Sequence, residues 1–131
     1  MIAGAAVLLL SVAGCAGAES VDVPAPAAGE RQSVPARQID GSALPKGYPR
    51  EAVTHRNGRI LEITAQESGC AQASAELVEE NRREVTVLLV HTVPSGDVMC
   101  TMDIRYPTVS VELDEPLGAR TVVLEPTARE K

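Results

Sequence analysis

The chain has 131 residues, which suits a single small domain, and 18 acidic against 12 basic residues give it a net charge of −6. An acidic chain of this kind lacks the basic surface that nucleic acid and anionic lipid require. Tyr48 and Tyr106 are the only aromatic residues, which also excludes base-stacking surfaces, aromatic cages and grooves for proline-rich peptides. The apolar residues are mostly Val, Leu, Ile and Ala, a composition that favours strands.

The first segment is an uncharged apolar run from residue 2 to residue 14. It has the length of the hydrophobic region of a secretory signal and is shorter than the roughly 20 residues that span a bilayer. A secretory signal usually begins with a basic segment, but no Lys or Arg lies between Met1 and the apolar run. We therefore expect the true start to lie upstream. The alternative is an uncleaved N-terminal anchor with an incidental cysteine.

The apolar run ends at Val12-Ala13-Gly14-Cys15, which resembles the lipobox of bacterial lipoproteins. This resemblance implies that residues 1–14 are a signal peptide and that a diacylglyceryl group is attached to the Cys15 sulfur. It also implies a protein anchored by lipid at the extracytoplasmic face of the cell membrane. A single acyl chain anchors a protein only marginally, whereas two make the anchor stable.

Residues 15–49 are rich in Ala, Gly, Pro and Ser and contain five of the nine prolines. They show no sustained apolar period, so we predict a disordered linker, which as a coil would reach about 30 Å. The folded part is expected to be a β domain over residues 50–126, followed by a C-terminal tail over 127–131.

Apolar periodicity predicts the strands of this domain. After the turn signal Asn57-Gly58, residues 59–67 alternate between apolar and polar. Residues 84–93 are apolar on both faces, which is typical of a central strand covered on both sides. Residues 71–81 are compatible with a helix, but they lead directly into the next strand, so we favour a hairpin with Asn81 in its turn.

The second half of the domain also alternates. Residues 98–106 predict a strand that places Cys100, Met102, Ile104 and Tyr106 on one face. Pro107 changes the parity of the pattern, which predicts a bulge or bend between two strands. A final pair of strands is predicted over 108–114 and 120–125, joined by a turn with Pro and Gly in favourable places. The predicted core consists of Leu61, Ile63, Val85, Val87, Leu89, Ile104, Val109, Val111, Leu113 and Val122.

The fold class predicted from these elements is mainly β, a small antiparallel sandwich or barrel-like domain. With Cys15 carrying lipid, Cys70 and Cys100 remain as an even pair in an exported domain, and a disulfide is the expected state there. The competing interpretations are a metal site, a redox pair or two free buried thiols. The chain is similar to small lipoproteins of high-GC Gram-positive bacteria in the order of its lipobox, Pro/Ala linker, two cysteines and closing segment 116–123. This resemblance implies a β fold and an envelope location. It implies no activity.

Residues with catalytic or ligating chemistry are few. His55 and His91 are the only imidazoles, and a metal site that used both with Asp97 or Asp103 would have no recognisable ligand spacing. No serine lies in a nucleophile elbow, and no phosphate-binding or zinc-protease motif occurs. The glutamates at 76, 79, 80 and 84 are expected to form a solvated hairpin end. We therefore predict no catalytic residue, no cofactor and no metal ligand.

Two classes of function follow from the sequence. The first is a non-enzymatic envelope lipoprotein whose tethered β domain binds a protein, polymer or small ligand, with no nucleic acid as partner. The second is a small extracytoplasmic enzyme or metal-binding domain whose site cannot be recognised in the sequence.

Overall fold

The structure is a computed structural model that describes residues 30–131. The predicted signal peptide at 1–14 and the predicted lipid attachment at Cys15 lie outside these residues. The described part of the chain forms ten strands: β1 (Gln32–Ser33), β2 (Ile39–Asp40), β3 (Ala52–His55), β4 (Ile60–Thr64), β5 (Glu67–Ser68), β6 (Gln72–Glu80), β7 (Glu84–Val93), β8 (Ile104–Arg105), β9 (Thr108–Glu112) and β10 (Thr121–Glu130). A short 3-10 helix, Ala36–Gln38, connects β1 and β2.

The strands form a two-sheet sandwich and a short ribbon. One sheet has the order β1-β3-β4-β9 with antiparallel neighbours, and the other has the order β2-β10-β7-β6. In the second sheet β6 and β7 are antiparallel, whereas β10 runs parallel to both β7 and β2. The ribbon consists of β5 and β8. The predicted mainly β sandwich is confirmed, and the parallel placement of β10 is a feature that the sequence pattern did not reveal.

The hydrophobic core lies between the two sheets because each strand turns alternate side chains toward the other sheet. The largest fully buried side chains are Leu61, Ile63, Val85, Val87, Val122 and Leu124. Burying a side chain of this size contributes about 1.5 to 3 kcal/mol. Of the predicted core, Val109 packs as a partly buried member, whereas Ile104 is 57% exposed and does not belong to it.

The predictions for the central hairpin are confirmed. β7 lies between β10 and β6, and residues on both of its faces are buried: Val87 toward the core and Val90 on the opposite face. The segment that was compatible with a helix is strand β6, Gln72–Glu80. The side chain of Asn81 stabilises the turn because its Oδ1 accepts hydrogen bonds from the backbone N–H groups of Arg83 and Glu84, at 2.9 and 3.0 Å.

The predicted bend at Pro107 is also present. β8 pairs with β5, and β9 pairs with β4, so the two strands that flank Pro107 join different sheets. The carbonyl of Pro107 accepts a hydrogen bond from the N–H of Ala65 at 2.8 Å. Proline cannot donate to a ladder, so it is tolerated at the point where one ladder ends and the next begins.

The boundaries predicted for the β domain are wrong at both ends. Part of the predicted linker belongs to the sandwich: β1 pairs with β3, β2 pairs with β10, and Leu44 is buried in the core. This segment has no period because it contributes isolated side chains rather than one long strand. At the other end β10 extends through the predicted tail to Glu130, which pairs with Val93.

Among residues 30–131, no helix has the length and apolar character needed to cross a membrane.

Candidate functional site

One end of the sandwich carries the disulfide that the sequence predicted. Cys70 and Cys100 are bonded to each other, and their Cα atoms are 5.2 Å apart. The bond joins the segment after β5 to the long loop between β7 and β8. We call this part of the molecule the disulfide end.

Gly69 allows the two bridged segments to approach each other. Its φ of +57° lies in the left-handed region, and a Cβ there would stand 3.0 Å from the Thr101 carbonyl oxygen and 3.2 Å from the Cys100 Cβ. A glycine is therefore required both by the backbone conformation and by the space available.

A network centred on Arg105 holds the disulfide end in place. The guanidinium donates to the carboxylates of Glu67 and Asp103, at 3.0 and 2.6 Å. It also donates to the carbonyl oxygens of Gly69 and Ala71, at 3.0 and 3.4 Å. Charge-assisted bonds of this kind are shorter and stronger than neutral ones, so one side chain joins β8 to both sides of the bridged segment.

Glu67 completes this network. Its second carboxylate oxygen accepts a hydrogen bond from the backbone N–H of Ala73 at 2.8 Å. The hydrogen bond from Ala73 has the largest effect on the pKa of Glu67, and the bond from Arg105 has the next largest. Both lower this pKa from its usual value because they stabilise the charged carboxylate.

A group of apolar side chains is exposed between residue 98, in the loop between β7 and β8, and residue 106, just after β8. Met99 and Met102 are fully exposed, and Val98, Ile104 and Tyr106 are each more than half exposed. We call these five residues the apolar tip. The sequence alternation had predicted a strand over 98–106 with Ile104 in the core, and this prediction is wrong. Only Ile104–Arg105 is strand, and it pairs with β5 in the short ribbon rather than with a strand of either large sheet.

A cavity of about 510 Å³ lies beside the apolar tip. Its walls include the disulfide, Ile104 and Met102 from the tip side, and His91 from the end of β7. The cavity is open, and its wall is mostly apolar, with His91, Asp103, Ser68 and Thr101 as its polar residues, so it offers an apolar surface bordered by polar groups to a partner's side chain.

The two histidines lie in different sheets. His91 belongs to β7, whereas His55 belongs to β3, where its Nε2 is 3.4 Å from Glu62 Oε1. That nitrogen is buried and has no hydrogen-bond partner among residues 30–131, since the contact with Glu62 is long and poorly directed. Glu62 is paired with Arg31. In the part of the chain that the structure describes, no three His, Cys, Asp or Glu side chains are grouped to hold a metal ion.

The opposite end contains a polar network that the sequence did not predict. Glu80 accepts hydrogen bonds from the backbone N–H groups of Asp114 and Glu115, at 3.0 and 3.2 Å, and from the Arg120 guanidinium at 3.0 Å. The side chains of Arg120 and Glu80 are only 11% and 12% exposed. This glutamate is therefore a structural group of the chain crossing from β9 to β10, and the expectation of a solvated hairpin end is wrong for it.

Three turns meet around the crossover from β9 to β10. We call this end of the sandwich the crossover end. The N–H of Leu117 donates to the carbonyl of Gly58 at 2.9 Å, and Arg120 donates to the carbonyl of Asn81 at 3.1 Å. Glu30, the first residue that the structure describes, lines a cavity together with Gly58 and Pro116. β7 runs from this end to the disulfide end, and its ten residues extend for about 30 Å. Glu30 therefore lies at the end of the domain remote from the apolar tip.

No protein-family model matches the sequence, and no curated protein and no solved structure is similar to it at a significant level.

Proposed function

We propose that this protein is a lipid-anchored lipoprotein of the bacterial envelope whose β domain is a binding module for an envelope partner. Two features support the proposal. The lipobox-like segment Val12-Ala13-Gly14-Cys15 accounts for an anchor at Cys15. The disulfide between Cys70 and Cys100 is typical of a domain that folds outside the cytoplasm.

The observation that carries the binding role is the apolar tip. Apolar side chains that are exposed together on a small soluble domain mark sites of association, because each leaves apolar surface in water that a partner could bury. Met99 and Met102 are flexible and polarisable, so they adapt to partners of varied shape. The cavity lined by Met102 and Ile104 adds a concave surface beside these convex side chains.

The position of the tip supports a protein or polymer partner rather than the lipid surface. Glu30 lies at the crossover end, about 30 Å from the tip by the length of β7. A tether that joins the domain at this end leaves the apolar tip farther from the point of attachment by about the length of β7. The expected partner therefore presents an apolar segment at a distance from the bilayer.

The proposal is tested by in-cell cross-linking with the full chain as bait. The variant Met99→Asp/Met102→Asp places two charges in the tip and should reduce the capture of a specific partner by about tenfold or more, since a buried charge opposes association. Val78→Asp is the matched control, because Val78 is also half exposed but lies on β6 away from the tip. Equal capture by both variants would contradict a binding role for the tip, and turnover of a substrate by the isolated protein would favour an enzyme.

The anchor is tested separately by mass spectrometry of the membrane fraction. We expect an N-terminal peptide that begins at Cys15 and carries a diacylglyceryl group. An unmodified peptide that spans Gly14 and Cys15 in the mature protein would contradict the lipoprotein assignment.

A further inference from the structure

The second sheet has an open edge along most of β10. On one side β10 pairs with β7 over its full length, from Thr121 to Glu130. On the other side β2 covers only Val122 and Val123. Within residues 30–131 no strand pairs with the remaining edge, from 124 to 130. Long open edges favour pairing with another chain, and proteins usually block them.

Pro126 identifies which backbone groups point outward from this edge. A residue in a strand directs its N–H and C=O to the same neighbour, and successive residues alternate. Pro126 has no N–H to donate to β7, so we take the backbone groups of Pro126 to point to the open side. The N–H and C=O groups of the other even-numbered residues of β10 then point to the same side. The hydrogen bonds at both ends of the strand agree: Thr121 donates to Arg83 and Lys131 donates to Val93, both on the β7 side.

We propose that two copies of this chain associate through antiparallel pairing of their β10 edges, with Thr127 opposite Thr127 of the second copy. This register places Glu125 opposite Arg129 of the second copy, and Arg129 opposite its Glu125. Opposite charges at directly facing positions stabilise a strand pair. Glu125 is exposed and forms no ion pair with any residue from 30 to 131, so its carboxylate is available. Arg129 binds Glu76 of its own chain through Nη1 and Nη2, in an exposed pair, so the group it would offer to Glu125 of the second copy is its Nε–H.

The backbone also fits this register. In this register the even-numbered residues form the hydrogen-bonded pairs. Each such pair exchanges two backbone hydrogen bonds, except that Pro126 of each copy has no N–H to donate. The two strands therefore exchange about six backbone hydrogen bonds. Residue 130 of the second copy lies opposite Leu124 of the first. The strand of the second copy therefore ends just before Val123, where β2 already pairs with β10. A register shifted by two residues that set Pro126 opposite itself would break both charge pairs.

The apolar groove beside the edge provides further surface for the second copy. It has a volume of about 390 Å³ and is lined by Pro45, Tyr48 and Leu89 together with Pro126 and Ala128 of β10. In the proposed register Pro126 of one copy faces Ala128 of the other. These side chains, which are exposed in the single chain, are then covered by their counterparts.

The register is tested by cysteine cross-linking of the full chain. Thr127→Cys should form a disulfide-linked dimer, because the Cα atoms of a facing pair without mutual hydrogen bonds are about 4.5 Å apart, within the range that a disulfide tolerates. Glu125→Cys is the matched control. Its cysteine would lie four residues from its own counterpart, about 13 Å along the strand, and should not cross-link to itself. A mixture of Glu125→Cys and Arg129→Cys chains should cross-link.

A second substitution, Ala128→Pro in the Thr127→Cys chain, tests whether the cross-link depends on pairing of the two edges rather than on folding of the domain. It removes an outward N–H and leaves the donors toward β7 intact, so the cross-link should fall at least tenfold while the Cys70–Cys100 disulfide is retained. Ala128→Val should leave the cross-link in place. A Thr127→Cys chain that stays monomeric, a cross-link that Ala128→Pro does not reduce, or self-linking of Glu125→Cys at the same rate would each overturn the proposal. The β10 edge is distinct from the apolar tip, so neither result bears on the other.

Discussion

Replacing Arg120 with Met should be among the most destabilising substitutions outside the apolar core. The side chain donates to the Glu80 carboxylate and to the carbonyl oxygens of Asn81, Glu115, Pro116 and Leu117, which together hold the crossover between the sheets. Removing one partner of a buried charge pair typically costs about 3 to 5 kcal/mol, because the other charge stays buried. Glu80 retains two backbone donors, so we expect about 3 kcal/mol.

Arg129→Met is the matched control for this substitution. Arg129 also pairs with a glutamate, Glu76, at 2.8 Å, but the two side chains are 48% and 45% exposed. An exposed pair contributes little to stability, because water screens both charges.

Equilibrium unfolding in urea distinguishes the two cases. For a domain of this size, with a denaturant dependence of about 1.5 kcal/mol per molar, Arg120→Met should lower the midpoint by about 2 M and Arg129→Met by less than about 0.5 M. Equal shifts for the two variants would refute the argument that burial determines the contribution of these pairs.

The same network predicts how stability depends on pH. Burial alone would raise the pKa of Glu80, but hydrogen bonds from Asp114, Arg120 and Glu115 outweigh that effect and lower it below the ordinary value of 4.5. A depressed pKa stabilises the folded state above the unfolded pKa, and this stabilisation is lost as the pH falls through the folded pKa. The free energy of unfolding should therefore decrease below about pH 4.5, and Glu80→Gln should flatten that decrease. An unchanged pH profile for the variant would exclude Glu80 as a titrating group.

Three further predictions concern the disulfide end and the domain boundary. Cys70→Ser/Cys100→Ser should lower the free energy of unfolding by about 3 to 4 kcal/mol, because the disulfide closes a loop of 30 residues; reduction of the native protein should have the same effect in thermal unfolding. Gly69→Ala should destabilise by about 1 to 2 kcal/mol through its positive φ and the close Thr101 oxygen, and a substitution without effect would mean that the backbone relaxes there. A fragment of residues 50–131 should not fold cooperatively, whereas 30–131 should, because the missing segment supplies two strands and a buried leucine; circular dichroism during heating checks this.

The sequence predicted the elements in which periodicity and burial agree. β7 was predicted with its observed bounds, Glu84–Val93, because a run that is apolar on both faces fits only a covered central strand. The bend at Pro107 and the strand over 72–80 followed from local chemistry, since proline interrupts a ladder and Asn81 suits a tight turn.

Other features depend on the arrangement of distant segments, and no local pattern encodes them. Alternation at 98–106 separates two faces but does not state which face meets a second layer, so Ile104 was placed in the core although it is exposed. The segment before residue 50 contributes single anchors such as Leu44, which have no period. Arg120 resembled any other surface arginine, because its partners lie in three separate turns.

The disulfide end combines two properties that seldom occur together: its side chains are exposed, yet its backbone is held. A loop that buries little apolar surface gains too little free energy to offset the entropy of ordering it. Here the order comes from the Cys70–Cys100 bond and from the four acceptors of Arg105. A partner that binds the apolar tip would meet a surface whose backbone is already ordered, so the association would lose less entropy. If the proposed binding role holds, Met99 and Met102 would therefore meet a partner from a backbone that these bonds already keep in place.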